Sequence, residues 1–228
     1  LGLGDPIALS STHGIGVGDV LDKIIHLLPE KDDVQYQNAI CFSIIGRPNV
    51  GKSSLTNALL NQDRVIVSNI EGTTRDAIDT PFNKDEQDFV VIDTAGLKKR
   101  GKIFEAVDKY AAIRALAAIE RSDVCLLVIN AEEGIIEHDK HIASYALEEG
   151  KPIVIVVNKW DTVNDKNDIA AFTKLVRAEF KFLSYAKVTF VSALTKKRIF
   201  TIMPEIDKAY ENSHREIKTS VLNEVIGE

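Results

Sequence analysis

Eight residues, GRPNVGKS from Gly46 to Ser53, place two glycines, a lysine and a hydroxyl at the spacing G-x-x-x-x-G-K-[ST]. That combination suits phosphate. Glycines let the backbone wrap closely around an anion, and loop N–H groups opening into a helix N-terminus supply the positive end. Gly46, Arg47, Pro48, Asn49, Val50, Gly51, Lys52, Ser53 and Ser54 therefore form the candidate phosphate site. Within it Lys52 would reach the β- and γ-phosphates of a nucleotide, and the Ser53 hydroxyl would ligate Mg²⁺. The setting favours this over a chance glycine-rich turn, because an apolar run ends at Ile45 and a helical period opens at Lys52.

DTAG, Asp93 to Gly96, follows the β-type run DFVVI. A strand-end carboxylate at Asp93 can hold Mg²⁺ through water, and the Gly96 N–H can meet a γ-phosphate with no side chain in the way. Thr94, Ala95 and Leu97 complete that contact segment. NKWD, Asn158 to Asp161, comes straight after IVIVV and addresses the base. The Asp161 carboxylate can accept from both N1–H and the exocyclic amine of guanine, a donor pair that adenine lacks. Asn158, Lys159, Trp160 and Asp161 thus point to GTP rather than ATP. Ser192, Ala193 and Leu194 end the following strand and would put backbone N–H groups near the guanine carbonyl. EGTTRD, 71–76, lies between the first two motifs; Thr74 is the favoured hydroxyl to close on Mg²⁺, with Thr73 the alternative. These five elements in this order imply a guanine-nucleotide domain. One position is at odds with hydrolysis: Leu97 stands where a switch GTPase carries the glutamine that orients the attacking water.

The elements that must position these residues are legible as patterns. Candidate strands are 39–45, 77–83, 88–92, 124–129, 153–157 and 187–191, and candidate helices are 52–60, 104–120, 137–148, 167–182 and 198–210. Continuous apolar strands alternating with helical periods predict an α/β fold, a doubly wound and mainly parallel sheet with helices on both faces. Ligands of such sheets bind at the carboxyl ends of the strands. An internal likeness appears at a shift of 182 positions: Ser10 falls on Ser192, Val20 on Ile202, Leu21 on Met203 and Ile24 on Ile206. Both stretches read as strand, serine-containing turn and helix. The polar, acidic segment 29–38 that follows the first of them reads as a linker.

Composition sets the outer bounds. Hydrophobic residues are 45% and charged residues 27% of the 228, enough for a real core. A net charge of −6 offers no general basic footprint for nucleic acid. Cys41 and Cys125 sit inside apolar runs and read as buried, reduced thiols. No apolar stretch reaches the roughly 20 residues of a membrane helix, and no secretory pattern opens the chain. The cytosol is the expected compartment. His138 and His141 have a spacing that can bind metal but read as solvated helix residues without a third ligand. The basic clusters 98–102 and 195–198 read first as solvated faces and second as contacts for RNA phosphates.

GRPNVGKSSLTNALL, GTTRDAIDT, DTAGL followed by KKRGK, NKWD and SALT together resemble the second GTPase domain of the bacterial tandem-GTPase family Der (EngA), whose members are ribosome-assembly factors. The resemblance implies a C-terminal tail of a preceding GTPase domain at 1–28, an acidic linker at 29–37 and a complete P-loop GTPase domain at 38–210. It also implies the start of a truncated KH-like domain at 211–228. The partners it implies are GTP and GDP, the large ribosomal subunit and its RNA in the full-length protein, and the flanking domains of the same chain. Related GTPases without the glutamine use K⁺ near the phosphates, which makes Asn49 the expected potassium ligand and gives Asn49, Lys52, Thr74 and Gly96 as the catalytic set. The ion would sit where an arginine finger, worth about 10³–10⁵ in rate, acts elsewhere. Asn49 can equally be a turn residue chosen for its backbone geometry.

The expectation is a GTP-hydrolysing switch, slow in isolation, that acts in assembly of the large ribosomal subunit. Leu97 favours an alternative, a nucleotide-sensing module with negligible turnover. A tRNA-modification-type GTPase shares the PNxGKS and TTRD style, but the internal likeness favours the tandem family. NKWD opposes a metabolic P-loop kinase.

Overall fold

Runs such as Val124–Asn130 are apolar at nearly every position because both of their faces are covered. Every residue of that run is buried, and so is every residue of Ile40–Ile45 and Ile153–Asn158. The computed structural model describes residues 8–10, 12–13, 16–27, 39–61, 65–67, 79–92, 115–163, 169–217, 219 and 223. Among these, seven strands form one sheet: β1 (Ile40–Ile45), β2 (Val65–Val67), β3 (Thr80–Lys84), β4 (Gln87–Ile92), β5 (Val124–Asn130), β6 (Ile153–Asn158) and β7 (Lys187–Phe190). Their order is β2-β3-β4-β1-β5-β6-β7. The five strands from β4 to β7 run parallel, and β3 and β2 add an antiparallel edge.

The helices are α1 (Val17–Leu27), α2 (Lys52–Leu60), α3 (Glu137–Glu148), α4 (Ile169–Glu179) and α5 (Ile202–Ser213), and 115–120 are also helical. The chain divides into two compact units, Leu1–Gln37 and Asn38–Glu228. In the larger unit the alternation of strand side chains splits the core in two. Phe42, Val124, Leu126, Val128, Val154 and Val156 join α2 and α5 on one face. Ile45, Cys125, Leu127, Ile129, Ile155 and Val157 join α3 and α4 on the other. The expected doubly wound sheet with helices on both faces is present. Both thiols are free and buried, and burial pushes Cys41 up to about 12.

Differences from the pattern reading lie at the sheet edge and the helix ends. Val65–Val67 is a strand too short for periodicity to announce. The strand expected at 77–83 is Thr80–Lys84, paired with β4 through the two-residue turn Asp85-Glu86. Both turn residues have positive φ, 52° and 69°, as the twist of a tight hairpin demands; Asp85 is a common first residue of such a turn, but Glu86 stands where glycine is usual. The helix expected over 167–182 breaks after Glu179 into a 3₁₀ turn, Lys181–Leu183, and the one over 198–210 opens as a 3₁₀ turn, Ile199–Thr201. The expected linker 29–37, the segments 71–76 and 93–102, and most of the expected helix 104–120 fall outside the described residues. No helix among the described residues is long and apolar enough to cross a membrane.

Phe82 and Phe89 sit opposite each other on β3 and β4 and stack at 5.5 Å, with Phe42 edge-on to both. Phe89→Ala should therefore lower unfolding free energy by about 3–5 kcal/mol, measured by urea denaturation.

Candidate functional site

Parallel strands bring their carboxyl ends to one edge, and the motifs leave from there. The phosphate loop follows β1, NKWD begins at the last residue of β6, and Ser192 lies just beyond β7. Asn130, the last residue of β5, is in register with Asn158.

Two glycines in the loop are required by space. Gly51 has φ +99°, and a Cβ there would lie 2.3 Å from Asn158 Nδ2. A Cβ at Gly46 would lie 2.6 Å from the Val128 carbonyl oxygen. Asn49 also has positive φ, 64°, a conformation asparagine tolerates. Lys52 Nζ folds back over the loop and donates to the carbonyls of Gly46 at 2.5 Å and Arg47 at 2.7 Å. Burial pulls this ammonium down to about 8, partly offset by the negative charge of Asp139. Ser53 stands in the first turn of α2, at the same helix end.

Asn158 is 1% exposed and uses both ends of its carboxamide. Nδ2 donates to the Val50 carbonyl at 2.9 Å, and Oδ1 accepts from the Ala193 N–H at 3.0 Å. Lys159 takes positive φ, 61°, and its carbonyl accepts from both the N–H and the hydroxyl of Thr162. This tight turn presents Asp161. Its Oδ1 is buried and has no hydrogen-bond partner among the described residues. The neighbouring Trp160 packs edge-on to Phe172 and Phe190, and its backbone N–H donates to the Val191 carbonyl, which fixes the turn on the sheet.

In the last turn, Ser192 Oγ accepts from the Thr195 N–H, and the Ser192 N–H donates to the Lys197 carbonyl. Ala193 being bonded to Asn158, the Leu194 N–H is the one of the three with no protein acceptor among the described residues. The Leu194 side chain is 84% exposed. Thr74, Asp93, Thr94, Ala95, Gly96 and Leu97 lie outside the described residues.

The sequence reading missed three polar residues on or after β5. Arg47 turns its guanidinium away from the loop interior, onto Asp139 in the first turn of α3 and onto Glu133. Asn130 in turn donates to Glu133. Burial works against the Arg47 charge, but the Glu133 hydrogen bond and both carboxylates more than offset it and raise its pKa. Glu133 is held below the ordinary carboxylate range by the same hydrogen bond. Asp139 lies between His138 and His141 in the sequence. Those histidines are exposed, and no group of three metal-ligating residues occurs among the described residues.

A clash at Gly51 and none at Gly150 make a controlled pair, since both have positive φ. Gly51→Ala should weaken guanine-nucleotide binding about tenfold or more, while Gly150→Ala should cost only backbone strain of about 1–3 kcal/mol. Titration with a fluorescent GDP analogue and thermal melts separate the two.

The family model described as 50S ribosome-binding GTPase matches residues 41–159. The chain is 58% identical over 229 residues to GTPase Der of Oceanobacillus iheyensis, covering 99% of this chain and 52% of that protein. It is 56% identical over 228 residues to GTPase Der of Staphylococcus saprophyticus, again covering 99% and 52%. The chain thus spans about half the length of the curated relatives it matches. Among solved structures, Era in complex with MgGDPNP and nucleotides 1506–1542 of 16S ribosomal RNA is similar at TM-score 0.59 and 25% identity, covering 75% of this chain and 57% of that one. Elongation factor SelB of Methanococcus maripaludis with the GTP analogue GPPNHP shares the fold at TM-score 0.57 and 16% identity, covering 79% and 35%.

Proposed function

The chain belongs to the 50S ribosome-binding GTPase family, and from that premise we propose that 38–210 bind GTP and hydrolyse it to GDP and phosphate as a molecular switch in bacterial large-subunit assembly. The observation that carries the base assignment is the orphaned, buried Oδ1 of Asp161. A buried carboxylate oxygen without a donor is costly, and guanine supplies the donors while adenine does not.

The phosphate end is supported by Lys52, which is folded onto carbonyls it can leave for a β- or γ-phosphate. Ser53, Thr74 and, through water, Asp93 are the hard oxygen donors that would hold Mg²⁺; the ion would offset charge on the β- and γ-phosphates. Asn49 adds a carboxamide oxygen for K⁺, and the Gly96 N–H contributes at the γ-phosphate. Leu97 cannot orient water, so backbone groups of 68–80 and 96–104 take that role when GTP orders them. A sensing module without turnover is the second reading, and Leu97 is the residue that favours it.

We further assign 1–28 to the closing strand-turn-helix of a preceding GTPase domain. At the same shift of 182 positions, Gly16 (φ 75°) falls on Arg198 (φ 58°), each directly before a helical segment. Segment 211–228 is assigned to the start of a KH-like domain, and the partners are the large ribosomal subunit and its RNA.

Asp161→Asn should weaken GTP binding about 10²–10⁴-fold, the worth of two charge-assisted hydrogen bonds, and gain affinity for xanthosine triphosphate, whose 2-oxo group accepts from an amide. Unchanged GTP affinity would sink the base assignment. For catalysis, turnover is compared in KCl and NaCl at matched ionic strength. Asn49→Gly keeps the positive φ and removes the side-chain oxygen, so it should abolish a potassium gain that wild type shows. Equal, low rates in both salts with nucleotide still bound would favour the sensing module.

A further inference from the structure

We propose that Asp139 is a positioning residue for the phosphate loop, holding Gly46–Lys52 through Arg47 in the shape that receives a β-phosphate. This rests on the guanine-nucleotide reading above.

The geometry is specific. Arg47 is the second residue of the loop, and its Nε lies 3.2 Å from one Asp139 oxygen and 3.3 Å from the other, the hydrogen bond going to Oδ2. Asp139 is fully buried, and the same Oδ2 accepts the Ile136 N–H at 3.1 Å, which ties the carboxylate to the start of α3. Arg47 is itself nearly buried, and its Nη2 has no partner among the described residues. A guanidinium that leaves a donor unsatisfied in the interior stays there only because a fixed carboxylate holds it. The backbone of the same arginine accepts the Lys52 ammonium at 2.7 Å. One residue therefore joins the loop's phosphate-reaching cation to α3.

The clamp has two unequal halves. The Asp139 side chain is at 0% exposure and that of Glu133 at 47%. Water screens the Glu133 contact and leaves the Asp139 contact dry, so the first contributes less. Both contacts are made within the chain itself, and a loop held in shape by its own chain does not charge its ordering against affinity.

The test uses energy transfer from Trp160, the chain's one tryptophan, to a methylanthraniloyl GDP, with unlabelled GDP and GMP as competitors. GMP keeps the base and lacks the β-phosphate that the loop cradles. Asp139→Asn should raise the Kd for GDP roughly 10- to 100-fold, the loss typical when the outer partner of a binding group is removed. The Kd for GMP should stay within about threefold, so the GDP-over-GMP preference collapses, and Glu133→Gln should have a small effect on both. Arg47→Met/Asp139→Leu removes both charges together, which protects the fold if the single variant loses it; it should lose GDP affinity as the single variant does, and GMP should again be spared. A folded Asp139→Asn or double variant that binds GDP like wild type overturns the proposal. So does a parallel loss of GMP, which would mark a general structural defect. A wild-type chain that binds neither nucleotide overturns the guanine reading itself, a distinct result.

Discussion

The carboxamide of Asn158 donates to the Val50 carbonyl and accepts from the Ala193 N–H, so the loops leaving β1, β6 and β7 share one buried side chain. An amide with both ends used and 1% exposure has no alternative partner in water. Its position in turn depends on Gly51, where any Cβ would intrude on Nδ2. The loop after β1 and the turns after β6 and β7 are thereby held at a set separation, as the proposed nucleoside phosphate, a ligand of set length, would require. The asparagine ahead of Asp161 is thus a joint between loops.

That joint works because the sheet behind it does not yield. Residues of β1, β5 and β6 alternate between two apolar clusters, each closed by a pair of helices. Shifting one strand by a residue would exchange the two clusters and strand polar ends such as Asn130 and Asn158 in the core. Register is therefore specified from both faces, and with it the place where each loop departs.

Charge is arranged on the same plan. Lys52 and Arg47 are two cations on one short loop, and only Arg47 turns to a dry counter-charge, Asp139. Lys52 rests on backbone carbonyls, a neutral and exchangeable partner. On the proposed reading such a division keeps one cation structural and the other available for phosphate, with the orphaned Asp161 oxygen as the acceptor for a donor pair. Ion pairs, glycines and the Asn158 amide serve the frame.

The sequence by itself determined the fold class and the motif order, because local spacing carries that information: GRPNVGKS needs its two glycines and Lys-Ser close in the chain, and IVIVV, short and β-branched, reads as a strand covered on both sides. It left Val65–Val67 and the Asp85-Glu86 turn unseen, since three residues hold no period and Glu86 stands where such a turn usually carries glycine. It drew attention to His138 and His141 and away from Asp139, although Asp139 shares the i, i+4, i+7 spacing of the buried Ala143 and Ala146. Only the tertiary structure decided that Arg47 meets a carboxylate 92 residues away, that Asn158 spans 108 residues to Val50, and that one Asp161 oxygen is buried without a partner. Contacts at such separations depend on strand order and register, which arise from packing the whole sheet and are written in no single stretch of the chain.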